Sequence, residues 1–259
     1  ATVGLYLAAL AETHKASTLR RRLASISVAH QLAGHPTPTS EPEVRAVFAG
    51  IRRARGTAPR KVRAARTDVI GRLVAPLQAR RLADVRDRSI LLIGFAGALR
   101  RSELVAIDVD DVSEDDHGLR LVLRRSKTDQ EAEGAVRGLP YGSNPSTCPV
   151  RAWRAWVTAS GLDSGPAFRG INRHGQMSGT RLTDRSVARM IQRRATAAGL
   201  PGEFAGHSLR AGFATEAYSQ GTPELAIMRH GRWRAASVMR GYVEEGSVWV
   251  DNAATHLGL

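Results

Sequence analysis

The sequence predicts a mainly α-helical protein with a small β-hairpin, composed of a short helical domain and a longer α+β domain. Apolar residues recur at helical spacing along most of the chain. Two segments, Leu119 to Leu123 and Glu133 to Pro140, instead suit paired strands joined by a turn. A basic stretch punctuated by Gly56 and Pro59 has no periodicity, and we interpret it as an interdomain linker.

The first domain, residues 1–56, is predicted to contain helices throughout. Because the sequence begins with Ala1 inside a helical pattern, we expect the native protein to start further upstream. Ser17 and Thr18 are expected to cap a helix that ends near Gln31. The segment 40–43 has the pattern of a capping box with proline in the first turn, which opens a helix to about residue 55.

Residues 57–66 form the predicted linker, and residues 67–259 form the second domain. Its segment 83–99 is almost entirely apolar, which predicts a buried helix. Further helices are predicted at 67–75, 149–160, 183–198, 208–219, 223–230 and 235–243, followed by a short helix in the tail.

Charge and composition point to a nucleic-acid partner. The net charge is +14, and residues 1–68 alone carry 12 cationic and 4 anionic side chains. So localised an excess favours a binding face for a polyanion. The single cysteine, Cys148, excludes an internal disulfide and indicates a reducing cytoplasm. The sequence has no apolar run long enough to span a membrane, no glycine-rich phosphate loop and no carboxylate cluster, so we expect neither a cofactor nor a metal.

Two pairs of polar residues stand at the spacing of one helical turn in the second domain. Arg100 and Glu103 follow the apolar helix, and His207 and Arg210 open a later one. Residues three apart lie on the same face of a helix. Each pair can therefore present its side chains to a single ligand.

Lysine is scarce, which gives Lys127 at the predicted hairpin tip a special position. The chain has 38 cationic residues, and only Lys15, Lys61 and Lys127 are lysines. An arginine cannot release its proton in a protein, whereas a lysine can. Lys127 is thus the one cationic side chain of the second domain that can act as a proton donor.

In this order, and with a spacing of nine residues from Trp233 to Tyr242, the motifs resemble those of the tyrosine recombinase (phage integrase) family, most closely its Cre-like members. The family has arginine, hairpin lysine, His-x-x-Arg, histidine or tryptophan, and then tyrosine. We assign the fourth position to Trp233, because His230 lies twelve residues from the tyrosine. The resemblance covers nearly the whole chain, with residues 1–56 as the core-binding domain and 67–259 as the catalytic domain.

The resemblance implies cleavage and rejoining of DNA through a 3′-phosphotyrosyl intermediate, without metal or ATP. Tyr242 would be the nucleophile, and Arg100, Arg210 and Trp233 would donate hydrogen bonds to the phosphate oxygens. His207 would deprotonate the tyrosine or contact the phosphate. Two further assignments complete the set: Lys127 as general acid for the leaving 5′ oxygen and Glu103 as support for the neighbouring side chains.

The resemblance also implies a clamp on double-stranded DNA, with one helix of each domain in the major groove. The candidate DNA contacts are Thr18, Arg21, Arg22 and Arg185. It further implies a homotetramer on two DNA sites in which each tail docks into a neighbouring protomer. The tail agrees with this, because Val250, Ala253, Ala254 and Leu257 form one apolar stripe.

Three other functions use the same motifs. A type IB topoisomerase relaxes supercoils as a monomer, a telomere-resolving enzyme forms hairpins, and a DNA-binding relative has lost catalysis. The small size and the filled catalytic positions favour the recombinase, acting in the cytoplasm on the nucleoid.

Overall fold

The computed structural model describes residues 2–57, 62–124 and 134–243, together with residues 254 and 257. The chain divides into two units, Ala1–Lys61 and Val62–Leu259. Helices dominate both units, and the strands form two small antiparallel sheets, so the predicted fold class is confirmed. No helix of the described ranges is long and apolar enough to cross a membrane.

The first unit is built from three helices. They are α1 (Thr2–Ala11), α2 (Ala16–Leu32) and α3 (Pro42–Arg55). Five buried residues form their shared core: Leu7, Ala11, Leu19, Val44 and Ile51.

Both capping predictions for this unit are wrong. Helix α2 begins at Ala16 and not after Thr18, and Lys15 occupies the N-cap. Ala16 is buried, so the first turn of the helix packs in the core. Ser40 belongs to a short 3-10 turn instead of a capping box, and Glu41 takes the N-cap of α3 without a side-chain hydrogen bond. Proline in the first turn of α3 is as predicted.

In the described part of the second unit, eight α-helices accompany two small sheets. The helices are α4 (Thr67–Val74), α5 (Leu82–Ala96), α6 (Arg101–Ala106), α7 (Pro149–Ser160), α8 (Asp184–Ala197), α9 (Ser208–Ser219), α10 (Glu224–Gly231) and α11 (Ala236–Val243). The strands are β1 (Val112–Asp115), β2 (Gly118–Leu123), β3 (Ala135–Pro140), β4 (Arg169–Ile171) and β5 (Met177–Arg181). Strand order is β1-β2-β3 in one sheet and β4-β5 in the other.

Helix α5 is the central element of the second unit. Ile90, Leu91 and Ile93 are almost completely buried, and the helix packs against α7, α8 and α9. It ends at Ala96, three residues earlier than predicted, because the chain turns through Ala98 with a φ of 48°. Arg100 therefore stands between two helices instead of at the end of one.

A buried ion cluster joins α5 to α8. Asp87 is fully buried and accepts hydrogen bonds from Arg86 (Nη2, 2.6 Å) and from Arg194 (Nη2, 2.7 Å). Arg194 also bridges to Asp84, one turn earlier on α5. This cluster fixes the axial position of α8 on the core.

The extended segment 62–66 is hydrogen-bonded to the turn that leads into α9. The amide of Arg63 donates to the carbonyl of Glu203 at 2.7 Å, and the amide of Ala65 donates to Ser208 at 2.9 Å. The approach is so close that a Cβ on Gly212 would lie 2.0 Å from the Ala65 carbonyl oxygen. The start of α9 is thus fixed from outside the helix.

We expect Asp87→Ala to destabilise the protein by about 3–5 kcal/mol, because it leaves Arg86 buried without a carboxylate partner and leaves Arg194 with Asp84 alone. Urea unfolding followed by circular dichroism measures this loss. The control is Glu224→Ala, which breaks an exposed ion pair with Arg240 and should change stability little. Equal effects of the two substitutions would contradict the importance assigned to the buried cluster.

Candidate active site

Arg100 and Glu103 are fixed to each other at the start of α6. Glu103 is buried, and its two carboxylate oxygens accept from the Arg100 backbone amide (2.9 Å) and from Arg100 Nη1 (2.6 Å). The Arg100 side chain is 17% exposed. One carboxylate therefore sets both the backbone and the guanidinium of Arg100.

Arg210 lies in the first turn of α9 and is 3% exposed. Its Nη1 donates to the carbonyl of Ala98 at 2.6 Å, and its guanidinium carbon lies 4.0 Å from the ring centroid of Trp233. A cation over an indole face contributes about 0.5–2 kcal/mol. His207 occupies the N-cap of the same helix and is exposed.

Trp233 reaches Arg210 because the chain turns sharply at the end of α10. Arg232 adopts a φ of 55°, and the indole folds back over Gly231, where a Cβ would lie 1.7 Å from the ring. Only glycine leaves room for the indole at that position. The tryptophan is consequently 6% exposed, with its face on the guanidinium.

Tyr242 is held beside Trp233 by helix α11. The centroids of the two rings are 5.8 Å apart at an interplanar angle of 57°. The Tyr242 carbonyl accepts a hydrogen bond of 2.9 Å from the hydroxyl of Thr215 on α9. Carbonyls in the last turn of a helix have no partner inside it, so Thr215 supplies one and ties α11 to α9.

The site carries more positive charge than its carboxylate can balance. The pKa of Arg210 is lowered to about 10, chiefly by burial and also by the charge of Arg100, while Glu103 and Tyr242 act in the opposite direction. Among the described residues, neither Arg210 Nη2 nor Trp233 Nε1 has a hydrogen-bond partner, although both are buried. Buried donors without partners, next to a cluster of guanidinium groups, are suited to an anion.

Five of the predicted catalytic residues thus come together in the structure: Arg100, Glu103, Arg210, Trp233 and Tyr242. His207 opens the helix that carries Arg210. Lys127 lies outside the described residues.

The predicted DNA contacts lie on helix surfaces. Thr18 on α2 is half-buried, and Arg21 is exposed on the same helix. Arg22 is also exposed and donates to the Tyr6 hydroxyl at 2.7 Å. Arg185, in the first turn of α8, is exposed.

Two further residues lie near the site: His230, which its spacing from Tyr242 excluded from the fourth position, and Arg137, which was not singled out from the sequence. His230 donates from Nε2 to the Ala96 carbonyl at 2.8 Å. Burial lowers its pKa against the effect of that hydrogen bond, and Arg137 and Arg210 lower it further. Arg137 is a buried cation on β3. The alternation of β3 could have revealed it, since Arg137 shares a face with the apolar Leu139.

A tyrosine beside a cluster of arginines whose charge is not fully balanced is suited to an enzyme that acts on phosphodiesters. No group of three His, Cys, Asp or Glu side chains that could hold a metal occurs within the described ranges.

Residues 64–246 match the model of the phage integrase family. The chain is 35% identical over 260 residues to the integrase/recombinase xerD homolog of Selenomonas ruminantium, covering 99% of this chain and 76% of that protein. It is 25% identical over 247 residues to recombinase cre of Escherichia phage P1, covering 87% and 70%. The Tn1549 transposon integrase in complex with transposon right end DNA shares the fold, with a TM-score of 0.67 at 12% identity, over 95% of this chain and 83% of that one.

The chain belongs to the phage integrase family. It is a site-specific tyrosine recombinase, an enzyme that cleaves and rejoins DNA, as the motif resemblance predicts.

We expect Thr215→Val to loosen α11, because the substitution keeps the shape of the side chain and removes the donor to Tyr242. The free energy of opening α11 should fall by about 1 kcal/mol. Hydrogen exchange of the α11 amides measures this free energy directly. Thr215→Ser retains the hydroxyl and should keep the wild-type protection. If the α11 amides exchange at the same rate in Thr215→Val and Thr215→Ser, the hydrogen bond to the Tyr242 carbonyl does not stabilise the helix.

Proposed function

We propose that Tyr242 is the nucleophile of the recombination reaction and acts on the phosphate bound by its own chain. The observation that supports this most strongly is the packing of Tyr242 against Trp233, whose ring also contacts the guanidinium of Arg210. The nucleophile and the phosphate-binding groups are thus neighbours within one protomer.

In the proposed cleavage step, the phenolic oxygen of Tyr242 forms a bond to phosphorus while the bond to the 5′ oxygen breaks. The phenolic proton leaves to a base, for which His207 is the candidate. Lys127 donates a proton to the departing 5′ oxygen. The resulting 3′-phosphotyrosyl ester retains the phosphodiester, so a 5′ hydroxyl of another strand can reverse the attack without ATP.

The arginines stabilise the transition state of that step. A phosphodiester carries one negative charge, and its pentavalent transition state carries two. Arg100 and the unpaired Nη2 of Arg210 donate to the equatorial oxygens, and Trp233 Nε1 offers a third donor. Glu103 is a positioning residue, since it holds Arg100 through two hydrogen bonds. In this scheme positive charge comes from side chains and needs no metal.

Double-stranded DNA is the proposed partner of both units. Arg21, Arg22 and Thr18 on α2, and Arg185 on α8, are candidate contacts to the major groove, and exposure of the three arginines is compatible with this. The net charge of +14 predicts binding that weakens steeply with salt. We place the reaction in the cytoplasm, on the nucleoid.

Recombination between two sites requires several protomers, and we propose a homotetramer in which tails dock in trans. The predicted tail helix lies mostly outside the described residues. Its two described members of the apolar stripe, Ala254 and Leu257, are exposed, and Leu257 is 66% exposed. Exposure of Leu257 is compatible with docking on a neighbouring protomer.

Tyr242→Phe should bind DNA with nearly wild-type affinity and form no covalent adduct, because the ring is kept and the attacking oxygen is lost. The target sequence is first obtained by sequencing DNA from covalent adducts captured in the source cell. Suicide duplexes with that sequence are then run on denaturing gels. Tyr218→Phe is the matched control, since Tyr218 packs in the same cluster and should still allow cleavage. An adduct formed by Tyr242→Phe would exclude Tyr242 as the nucleophile.

Leu257→Asp should spare binding to a single DNA site but prevent assembly of the synaptic tetramer, because it places a charge in the apolar stripe. Asn252→Asp adds the same charge off the stripe and serves as the control. Analytical ultracentrifugation with DNA measures both. A full tetramer formed by Leu257→Asp would contradict docking of the tail in trans.

A further inference from the structure

Arg137 is a buried cation of the second unit for which the reaction described above has no use. It is 8% exposed, and its Nε has no hydrogen-bond partner among the described residues. Among the described residues, its one hydrogen bond is a long contact of 3.4 Å from Nη1 to the neighbouring Val136 carbonyl. No carboxylate in the described part of the chain forms an ion pair with it. A buried guanidinium in this condition is costly to the free protein.

The register of the sheet directs Arg137 inward. Arg137 on β3 is opposite Leu121 on β2, and the inward-facing Leu119 and Leu139 are opposite each other two residues along. The outward positions of the same pair of strands carry Arg120 and Gly138, which are both exposed. An arginine thus stands in a row that otherwise holds leucine.

Arg137 lies within electrostatic reach of the active site. The pKa of Arg137 is lowered to about 10, chiefly by burial and also by the charges of Arg232 and Arg100, while Glu103 acts in the opposite direction. The side chain also lines a cleft of about 470 Å³, together with His230 and Arg229. The guanidinium of Arg137 therefore borders a cleft in a positively charged part of the protein.

Arg137 shares its condition with two groups that the proposed mechanism does use. Arg210 Nη2 and Trp233 Nε1 are likewise buried donors without partners in the described chain. In both cases the missing partner is assigned to a phosphate oxygen. Arg137 Nε is a third buried donor without a partner, and it lies within the electrostatic reach of Arg100 and Glu103. It therefore also requires an acceptor such as a phosphate oxygen.

We propose that Arg137 is an additional catalytic residue that donates a charge-assisted hydrogen bond to a DNA phosphate at the cleavage site. The phosphate is either the scissile one or its immediate neighbour on the strand. This inference rests on the assignment of Arg100 and Arg210 to the scissile phosphate. It extends the phosphate-binding set from the helices to the sheet.

The test compares Arg137→Met with Arg120→Met in the full chain. Methionine keeps the length of the aliphatic stem and removes the charge, and Arg120 is a matched cation on the outward face of the same sheet. Cleavage of a suicide duplex should slow about 10²-fold in Arg137→Met, the cost of losing one donor to a transition-state oxyanion. Arg120→Met should cleave at close to the wild-type rate.

Melting of the free proteins separates a catalytic from a structural role. Arg137→Met removes an uncompensated buried charge, so its melting temperature should equal or exceed that of the wild type. A structural role predicts the opposite, because the loss of a stabilising side chain lowers the melting temperature. A slow and less stable Arg137→Met variant would overturn the proposal, as would one that cleaves normally.

Neutral linkages identify the phosphate. A methylphosphonate replaces one charged oxygen with methyl, and it is placed at the scissile position or at either neighbouring position. The defect of Arg137→Met should shrink at the position that Arg137 contacts, since the substitution and the linkage remove the same interaction. An undiminished defect at all three positions would overturn the proposal. Cleavage by Tyr242→Phe, in contrast, would refute the proposed function itself, independently of Arg137.

Discussion

The guanidinium of Arg210 is held between two unlike partners, the face of Trp233 and the carbonyl of Ala98. Through these contacts it joins three elements that are far apart in sequence: the turn after α5, the first turn of α9 and the turn after α10. Tyr242 then packs on the same tryptophan. The position of the nucleophile therefore depends on an arginine 32 residues before it in the chain.

A few hydrogen bonds around Arg210 are enough to fix the geometry of the active site. Segment 62–66 fixes the start of α9 through two backbone hydrogen bonds, and Thr215 fixes α11 to the same helix further along. Glu103 sets Arg100 independently from the start of α6. The donors are preorganised before DNA arrives, which is the condition under which electrostatic stabilisation of a transition state is most effective.

The sequence predicts the fold class and also predicts which five side chains lie together around Arg210, because both depend on local patterns and on spacing. Helical periodicity locates α5 and α9, and the nine-residue spacing selects Trp233 over His230. What the sequence does not predict depends on tertiary contacts. Burial of Ala16 moves the start of α2, and the turn at Ala98 ends α5 early. Strands β1, β4 and β5 are too short to show alternation, at three to five residues each. Arg137 was not predicted, because its one signal, the alternation of β3, spans only six residues.

Among the non-glycine residues of the described chain, only Ala98 and Arg232 have a left-handed backbone conformation. One supplies the carbonyl that receives Arg210, and the other precedes the tryptophan that covers it. Each such conformation costs about 1–2 kcal/mol. Conformational strain and unbalanced charge are thus concentrated around one guanidinium. Because DNA binds the folded protein and relieves the charge, the free energy of unfolding rises with DNA concentration by mass action. The substrate in this way acts as a stabilising ligand of the enzyme that cuts it.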